Sequence, residues 1–486
     1  MPRILMVASE ATPFAKTGGL ADVLGSLPAA LVALGAEVAV VIPRYRSVPL
    51  DGARRIWDHM ELWVGPGRYD AAIWEVDRQG VRYFFADIPA FFDRDGIYSV
   101  HGVDHYDNYS RFAGLCHAAL GIARHIFRPD ILHCHDWQAA LTPVFLRLYF
   151  PSDPTFYGVR TILTIHNLGY QGRYGKEKLW WLGLPEWLYR SDLLEHYGAI
   201  NLLKGGIVYS DLLTTVSPTY AREIQTPEQG FGLDGLLRAR SASLVGILNG
   251  VDYAEWNPET DRYLSAHYSA ENLAGKKECK QALLAEFNLP ADRPEVPVIG
   301  MVSRLAAQKG FDLIGSVAWD LVNWDIRLVA LGVGEARYEN LLRHLMNARP
   351  DRFAARFELN NRLAHLIEAG ADIFLMPSRY EPCGLNQMYS LRYGTVPVVH
   401  ATGGLDDTIE EGTGFKFRPY SGDAMLGALR AALTTYWTEP ERWVSMMREG
   451  MRKDFSWRSS AERYLDVYQR LLGTAGFGQA QVHRQG

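Results

Sequence analysis

Apolar runs of strand length recur along the 486-residue chain, each ending in a polar or glycine-rich turn that opens a segment with helical spacing. Ile4-Leu5-Met6-Val7-Ala8 is apolar throughout, as a parallel strand covered on both faces must be. A loop ending in Gly18-Gly19 follows, and then Leu20, Leu24, Leu27, Leu31 and Leu34 mark one helical face, with Gly35 placed to terminate the helix. Residues 38–42 supply the next strand and close a β-α-β unit, right-handed by rule. The pattern recurs at 131–138, 161–167, 212–217 and 245–252, and restarts from Val298 through runs at 326–331, 373–376 and 396–414. Helices are expected over 112–126 and 311–323, and the aromatic-rich stretch 57–112 reads as peripheral strands and loops.

A chain this long exceeds what one hydrophobic core supports. The expectation is an α/β protein of two Rossmann-like, doubly wound domains, residues 1–252 and 253–455, with a helix over 456–473 and a flexible tail over 474–486. Trp256-Asn257-Pro258 and the polar stretch behind it mark the changeover.

A net charge of −5 argues against a nucleic-acid partner, whose phosphates call for a basic surface. Four cysteines without CxxC spacing, no signal-peptide pattern and no apolar run of bilayer length lead to the expectation of a cytoplasmic protein with no membrane association.

In open parallel sheets ligands bind beyond the carboxyl ends of the strands, where helix amino termini present unpaired amides. Glu381 lies between the run 373–376 and a helix opening near Leu385. A carboxylate there, beside the amides of Cys383, Gly384 and Leu385, suits a polyhydroxylated ligand; it also suits plain complementation of the helix dipole. Gly18 and Gly19 permit close approach of an anion to a helix start, with Lys16 beside them, although a simple glycine turn reads the same way. The spacing fits neither the Walker nor the G-x-G-x-x-G pattern. Arg304 and Lys309 project from one strand-to-helix loop and, with Lys16, would grip a diphosphate, although either one alone also reads as a solvated surface charge. His133, Cys134, His135 and Asp136 admit a zinc reading, but no partner cluster exists elsewhere, and polar groups at a sheet edge account for them better. His166 reads either as a core histidine or as a group facing the crevice.

Taken together, Lys16-Thr17-Gly18-Gly19-Leu20-Ala21-Asp22-Val23, His135-Asp136-Trp137, Thr164-Ile165-His166-Asn167, Asn249-Gly250-Val251-Asp252, Ser303-Arg304-Leu305 with Gln308-Lys309-Gly310, and the stretch from Pro377 to Gln387 resemble glycosyltransferase family 5, the bacterial glycogen synthases and plant starch synthases. The resemblance implies the GT-B architecture, two Rossmann-like domains facing across a cleft with the last helix returning to the first domain. It implies a retaining transfer of glucose from ADP-glucose to the 4-hydroxyl at the non-reducing end of an α-1,4-glucan such as glycogen. It assigns catalytic roles to Glu381, His166, Arg304 and Lys309. Substrate binding falls to Lys16, Gly18, Gly19, Asp22, Asp136, Asn167, Asn249, Cys383, Gly384 and Leu385. No cofactor and no metal are expected, because three cations can neutralise the departing nucleotide.

Two positions depart from the wider pattern. Tyr389 stands where related retaining transferases often carry a second glutamate, and Leu359 stands where the family commonly has an aromatic residue. If that aromatic stacks on the base, UDP-glucose becomes the alternative donor; a related transferase with another acceptor is the alternative enzyme. An NAD-dependent oxidoreductase lacks its glycine fingerprint here, and a glucan-binding protein without turnover would not need the charged residues.

Overall fold

The computed structural model describes residues 1–473, so the tail expected over 474–486 lies outside the described residues. The chain forms two compact units. One comprises Met1–Val216, Ala221–Gly250 and the helix that starts at Trp457; the other comprises Ser217–Tyr220 and Val251–Ser456.

The first unit is built on a nine-stranded sheet. Its strands are β1 (Arg3–Val7), β2 (Glu37–Pro43), β3 (Arg54–Val64), β4 (Gly67–Arg78), β5 (Val81–Asp87), β6 (Ile131–His135), β7 (Arg160–Ile165), β8 (Leu212–Thr215) and β9 (Leu244–Gly246). They lie in the order β9-β8-β7-β6-β1-β2-β5-β4-β3. The run from β9 to β5 is parallel, whereas β4 and β3 add antiparallel to the edge. Ile4, Leu5, Met6 and Val7 have no exposed surface, which is why β1 reads as uninterrupted apolar sequence. The edge strand β3 instead alternates towards its end and leaves one face to solvent. From β1 the chain moves outward on one side to β2 and returns on the other side to β6. The carboxyl ends of β1 and β6 therefore flank the topological switch point, where a ligand crevice forms.

Helix α1 (Gly19–Ala33) follows β1, buries Leu20, Leu24, Leu27 and Leu31, and ends before Gly35 at φ +93°. The helix expected over 112–126 runs instead from Asn108 to Ile122 and widens into a π-turn over Ala123–Phe127, closed by Arg128 in the left-handed region.

The second unit carries a six-stranded parallel sheet. Its strands are β10 (Val298–Val302), β11 (Arg327–Leu331), β12 (Phe353–Arg356), β13 (Ile373–Met376), β14 (Val396–His400) and β15 (Phe415–Phe417), in the order β12-β11-β10-β13-β14-β15. Here the switch point lies between β10 and β13. Helices α2 (Asn386–Arg392) and α3 (Gly403–Thr408) follow β13 and β14. The single helix expected over 311–323 is two helices, broken at Val317. Val317 is buried in the core at φ −120°, and burying its branched side chain outweighs continuing the helix.

Helix α4 (Trp457–Gly473) belongs to the first unit and packs on α1. Trp457, Tyr464 and Tyr468 are buried, Ser460 donates to the Leu248 carbonyl at 2.7 Å, and the Tyr468 hydroxyl lies 2.8 Å from His133 Nδ1. Tyr468→Phe leaves that imidazole nitrogen buried without its partner, so a stability loss of about 2 kcal/mol is expected. A melting curve checks it, because loss of a solvated surface hydroxyl would leave the midpoint where it was.

Candidate active site

In the second unit the loops after β10 and β13 meet at the switch point. Gly310 sits at φ +80°, and a Cβ there would lie 2.0 Å from the Pro377 carbonyl, so only glycine lets the two loops close on each other. The Arg379 amide donates to the Gln308 carbonyl at 2.8 Å and locks the approach. As a result Lys309 Nζ lies 2.6 Å from Glu381 Oε2, which also accepts from the Ser378 hydroxyl at 3.0 Å. Both members of the pair are largely buried, with side-chain exposures of 18% and 8%.

A cavity of about 210 Å³ opens beside this pair, lined among others by Ser303, Arg304, Lys309, Glu381, Gly384 and Leu385. Arg304 is exposed at its rim, and among the described residues its guanidinium has no ion-pair partner. Five residues singled out in the sequence thus surround one space. Cys383 is buried beside it, with its carbonyl held by Gln387 Nε2 at 3.0 Å. Gly384 needs its glycine twice over, at φ +70° and with a would-be Cβ 2.5 Å from the Gln387 side chain.

At the switch point of the first unit, the Lys16-Thr17-Gly18-Gly19 loop is differently arranged from the sequence reading. Lys16 is not a lone cation: its Nζ pairs with Asp22 at 2.6 Å, because both sit on the first turn and its approach. The Thr17 and Gly18 amides are not free either. The buried carboxylate of Glu10 accepts from both, from the Thr17 hydroxyl at 2.7 Å and from the Tyr98 hydroxyl. Sequence reading passed over Glu10 and Tyr98. A charged residue placed directly after a fully apolar central strand was the available signal for Glu10, and Tyr98 left none.

Asp136 follows β6 at φ +57°, an uncommon conformation for a residue with a side chain. Its carboxylate accepts from the His166 amide at 2.7 Å, and the Asn167 amide also bonds to it. Burial nevertheless pushes its pKa up to about 7; the two amides pull it down and the nearby Glu10 charge adds to the rise. His166 Nε2 lies 2.9 Å from His135 Nδ1, while His135 Nε2 is buried with no partner among the described residues. Desolvation brings the pKa of His166 and of His133 down to about 3, so both are neutral imidazoles near neutrality. His133 hydrogen-bonds Thr164 and Tyr468, which is the work of a structural polar group. Among the described residues no three His, Cys, Asp or Glu side chains are arranged to hold a metal ion. Asn249 is buried with its Oδ1 unpartnered among the described residues, and Asn167 Oδ1 accepts from the Gly169 amide at 3.0 Å.

Residues 3–239 match the family described as starch synthase catalytic domain, and 286–449 match glycosyl transferases group 1. A glycogen synthase of Koribacter versatilis (strain Ellin345) is 50% identical over 475 residues, which is 96% of this chain and 98% of that protein. The chain belongs to the glycogen synthase and starch synthase family of glycosyltransferases. A second member of that family, the glycogen synthase of Anaeromyxobacter sp. (strain Fw109-5), is 49% identical across 96% of this chain and 99% of its own length. The catalytic domain of starch synthase IV from Arabidopsis thaliana, bound to ADP and acarbose, superimposes with a TM-score of 0.87 at 33% identity, covering 97% of this chain and 99% of that one. Sucrose-phosphate synthase from Thermosynechococcus elongatus, at 16% identity and a TM-score of 0.60, shares the two-domain α/β glycosyltransferase fold. Among the described residues no helix is long and apolar enough to cross a membrane.

Proposed function

We propose that this family member extends α-1,4-glucan chains by transferring glucose from ADP-glucose to the non-reducing-end 4-hydroxyl with retention, and that Lys309, Arg304 and Glu381 form the centre of its donor site. The observation that carries the reading is the largely buried Lys309–Glu381 pair on the wall of a cavity with Arg304 at its rim.

Breaking the bond between the anomeric carbon and the diphosphate leaves negative charge on ADP and positive charge on the sugar. Fixed cations therefore stabilise the transition state more than the ground state. Arg304 offers a planar fork for phosphate oxygens and Lys309 a compact charge, while Glu381, held by Lys309 and Ser378, accepts hydroxyl hydrogens of the donor glucose. The Gly384 and Leu385 segment borders the same cavity and offers backbone donors to the sugar. In the first unit, Lys16, held by Asp22, and the Gly19 amide would attend the phosphates, with Gly18 opening the turn before it, and Asp136, neutral His166, Asn167 and Asn249 would line the sugar pocket. Neutral imidazoles there suit the role, because they donate to hydroxyls without adding charge near the developing oxocarbenium. The cytoplasm is the setting we assign, in keeping with four cysteines that all remain free thiols.

Leu359 favours a second donor as the competing reading: it is 85% exposed and offers no aromatic face to a base. The test incubates the protein with glycogen and either ADP-glucose or UDP-glucose, following nucleotide release and chain length. Release of ADP matched by elongation is expected. A higher kcat/KM with UDP-glucose would move the donor assignment, and elongation with neither would end it.

A further inference from the structure

One stretch of the second unit is grafted into it from the middle of the first. The chain leaves β8 at Thr215, contributes Ser217–Tyr220 to the second unit, and returns to the first unit at Ala221. Asp407, on α3, grips the graft. Its Oδ2 accepts from the Thr219 amide at 2.7 Å and its Oδ1 from the Thr219 hydroxyl at 2.6 Å, so both carboxylate oxygens grip one residue.

The same short helix bears directly on the Glu381 loop. The Gly404 amide donates to the carbonyls of Glu381 and Pro382 at 3.1 and 3.2 Å. A Cβ at Gly403 would lie 1.9 Å from the Glu381 carbonyl, and one at Gly404 the same distance from the Cys383 carbonyl, so backbone rests on backbone with no room for a side chain. Gln387 completes the brace: its Nε2 donates to the carbonyls of Cys383 and Gly384 at 3.0 and 3.1 Å and to the Thr408 hydroxyl at 3.2 Å. Thr408 in turn donates to the Gly404 carbonyl at 2.6 Å. Close-packed contacts of this kind transmit displacement, since the atoms cannot interpenetrate.

We propose that Asp407 is a positioning residue for the donor sugar: through Thr219 it makes the setting of the Glu381–Gly384 loop depend on the segment that runs on into β8 of the first unit. A pull on either end of that segment passes through the bidentate grip into α3 and from α3 into the loop. The neighbouring Asp406 is occupied otherwise, by Lys416 and Arg418 at 2.8 and 2.5 Å, and does not share the role. This inference rests on the reading that the Glu381 loop receives the donor glucose. Arg304 lies on a different loop and, among the described residues, has no ion pair with the Glu381 loop, so the part of the diphosphate grip that it supplies is separable from it, whereas Lys309 is paired with Glu381.

The experiment compares Asp407→Ala, Asp407→Asn and Thr219→Val in the full-length protein, measuring kcat and KM for ADP-glucose, the affinity for ADP alone by calorimetry, and the melting temperature. Asp407→Ala is expected to raise KM for ADP-glucose about tenfold and to lower kcat about tenfold, because a loop misplaced by a fraction of an ångström loses its near-attack geometry. ADP affinity should stay within about twofold, a split that a general loss of folding would not produce. Asp407→Asn, which still accepts from the Thr219 amide, should recover most of the loss. The Thr219→Val/Asp407→Ala double variant should be no worse than Asp407→Ala, since the two residues act as one grip. If Asp407→Ala does not fold, Thr219→Val carries the same comparison with the amide hydrogen bond kept. Unchanged kcat and KM in the folded variants would overturn the proposal, as would ADP affinity falling in step with KM. Glu381→Ala run alongside separates the layers: if it keeps full turnover, the donor-site reading fails; if it is inactive while the grip variants behave as wild type, only the role of Asp407 fails.

Discussion

Turnover of the Lys309→Ala protein is expected to fall by about 10² to 10³, the usual cost of removing one electrostatic donor from a closed site. The effect has two parts that act together. The cation that would face the departing diphosphate is gone, and Glu381 is left as a buried carboxylate whose Lys309 hydrogen bond at 2.6 Å has vanished, with the Ser378 hydroxyl at 3.0 Å remaining. An unpaired anion beside the diphosphate repels it, so the donor KM should rise as well. Glu381→Ala should lose a similar factor by freeing Lys309 from its partner and removing the hydroxyl acceptor. The double variant should be far from additive, because the two side chains form one unit. Initial rates with ADP-glucose and glycogen measure all three; wild-type rates in either single variant would contradict the assignment.

Acidification is expected to destabilise the first unit well above the pH at which ordinary carboxylates titrate. Desolvation brings the pKa of His117 down to about 4, of His133 and His166 to about 3, and of His135 well below the usual imidazole range, with neighbouring imidazoles adding to the effect at His133 and His135. Below about pH 6.5 the unfolded chain protonates these rings while the folded chain does not. The unfolded state then binds more protons, so stability falls as pH falls, and goes on falling until the folded pKa values are reached. Asp136 acts in the opposite sense. Its folded pKa of about 7 means the folded chain holds a proton that the unfolded chain releases, which favours folding towards lower pH. Four histidines against one aspartate leave about three protons, or roughly 4 kcal/mol lost per pH unit in the middle of the window. Set against a total stability of about 5–15 kcal/mol, that slope removes the lower figure by about pH 5 and leaves about a third of the higher one at pH 4, so the melting temperature falls throughout that range. Near-ultraviolet circular dichroism and melting curves across that range test it, and a constant melting temperature from pH 7 to 4.5 would refute it.

Much of the lining of the cavity in the second unit could be read from the chain because local chemistry sufficed. Glu381, Gly384 and Leu385 stand immediately after a buried strand, and Arg304 and Lys309 immediately after another, so any parallel sheet delivers them to its carboxyl edge. That β10 and β13 are neighbours at a switch point, and that Gly310 lets their loops touch, depends on pairings among residues some seventy positions apart, about which neither loop carries information by itself. In the first unit, Lys16 read as a phosphate ligand because its partner, Asp22, looks like an ordinary first-turn acid until the helix brings it within 2.6 Å. The amide of Gly18 read as open to an anion because nothing local reports that Glu10 folds back onto it.

Periodicity and composition by themselves determined the α/β class, the two halves, the apolar interiors of β1 and β10, and which residues would reach the strand ends, since burial on two faces demands unbroken apolar runs and turns demand glycine and polar residues. Only the tertiary structure decided the partners: Lys309 with Glu381, Lys16 with Asp22, Glu10 with the glycine loop, Asp407 with Thr219, and the break at Val317. Each of these trades a local preference or a bond to water for a contact that exists only once distant segments are packed together, and a one-dimensional pattern holds no record of such distances.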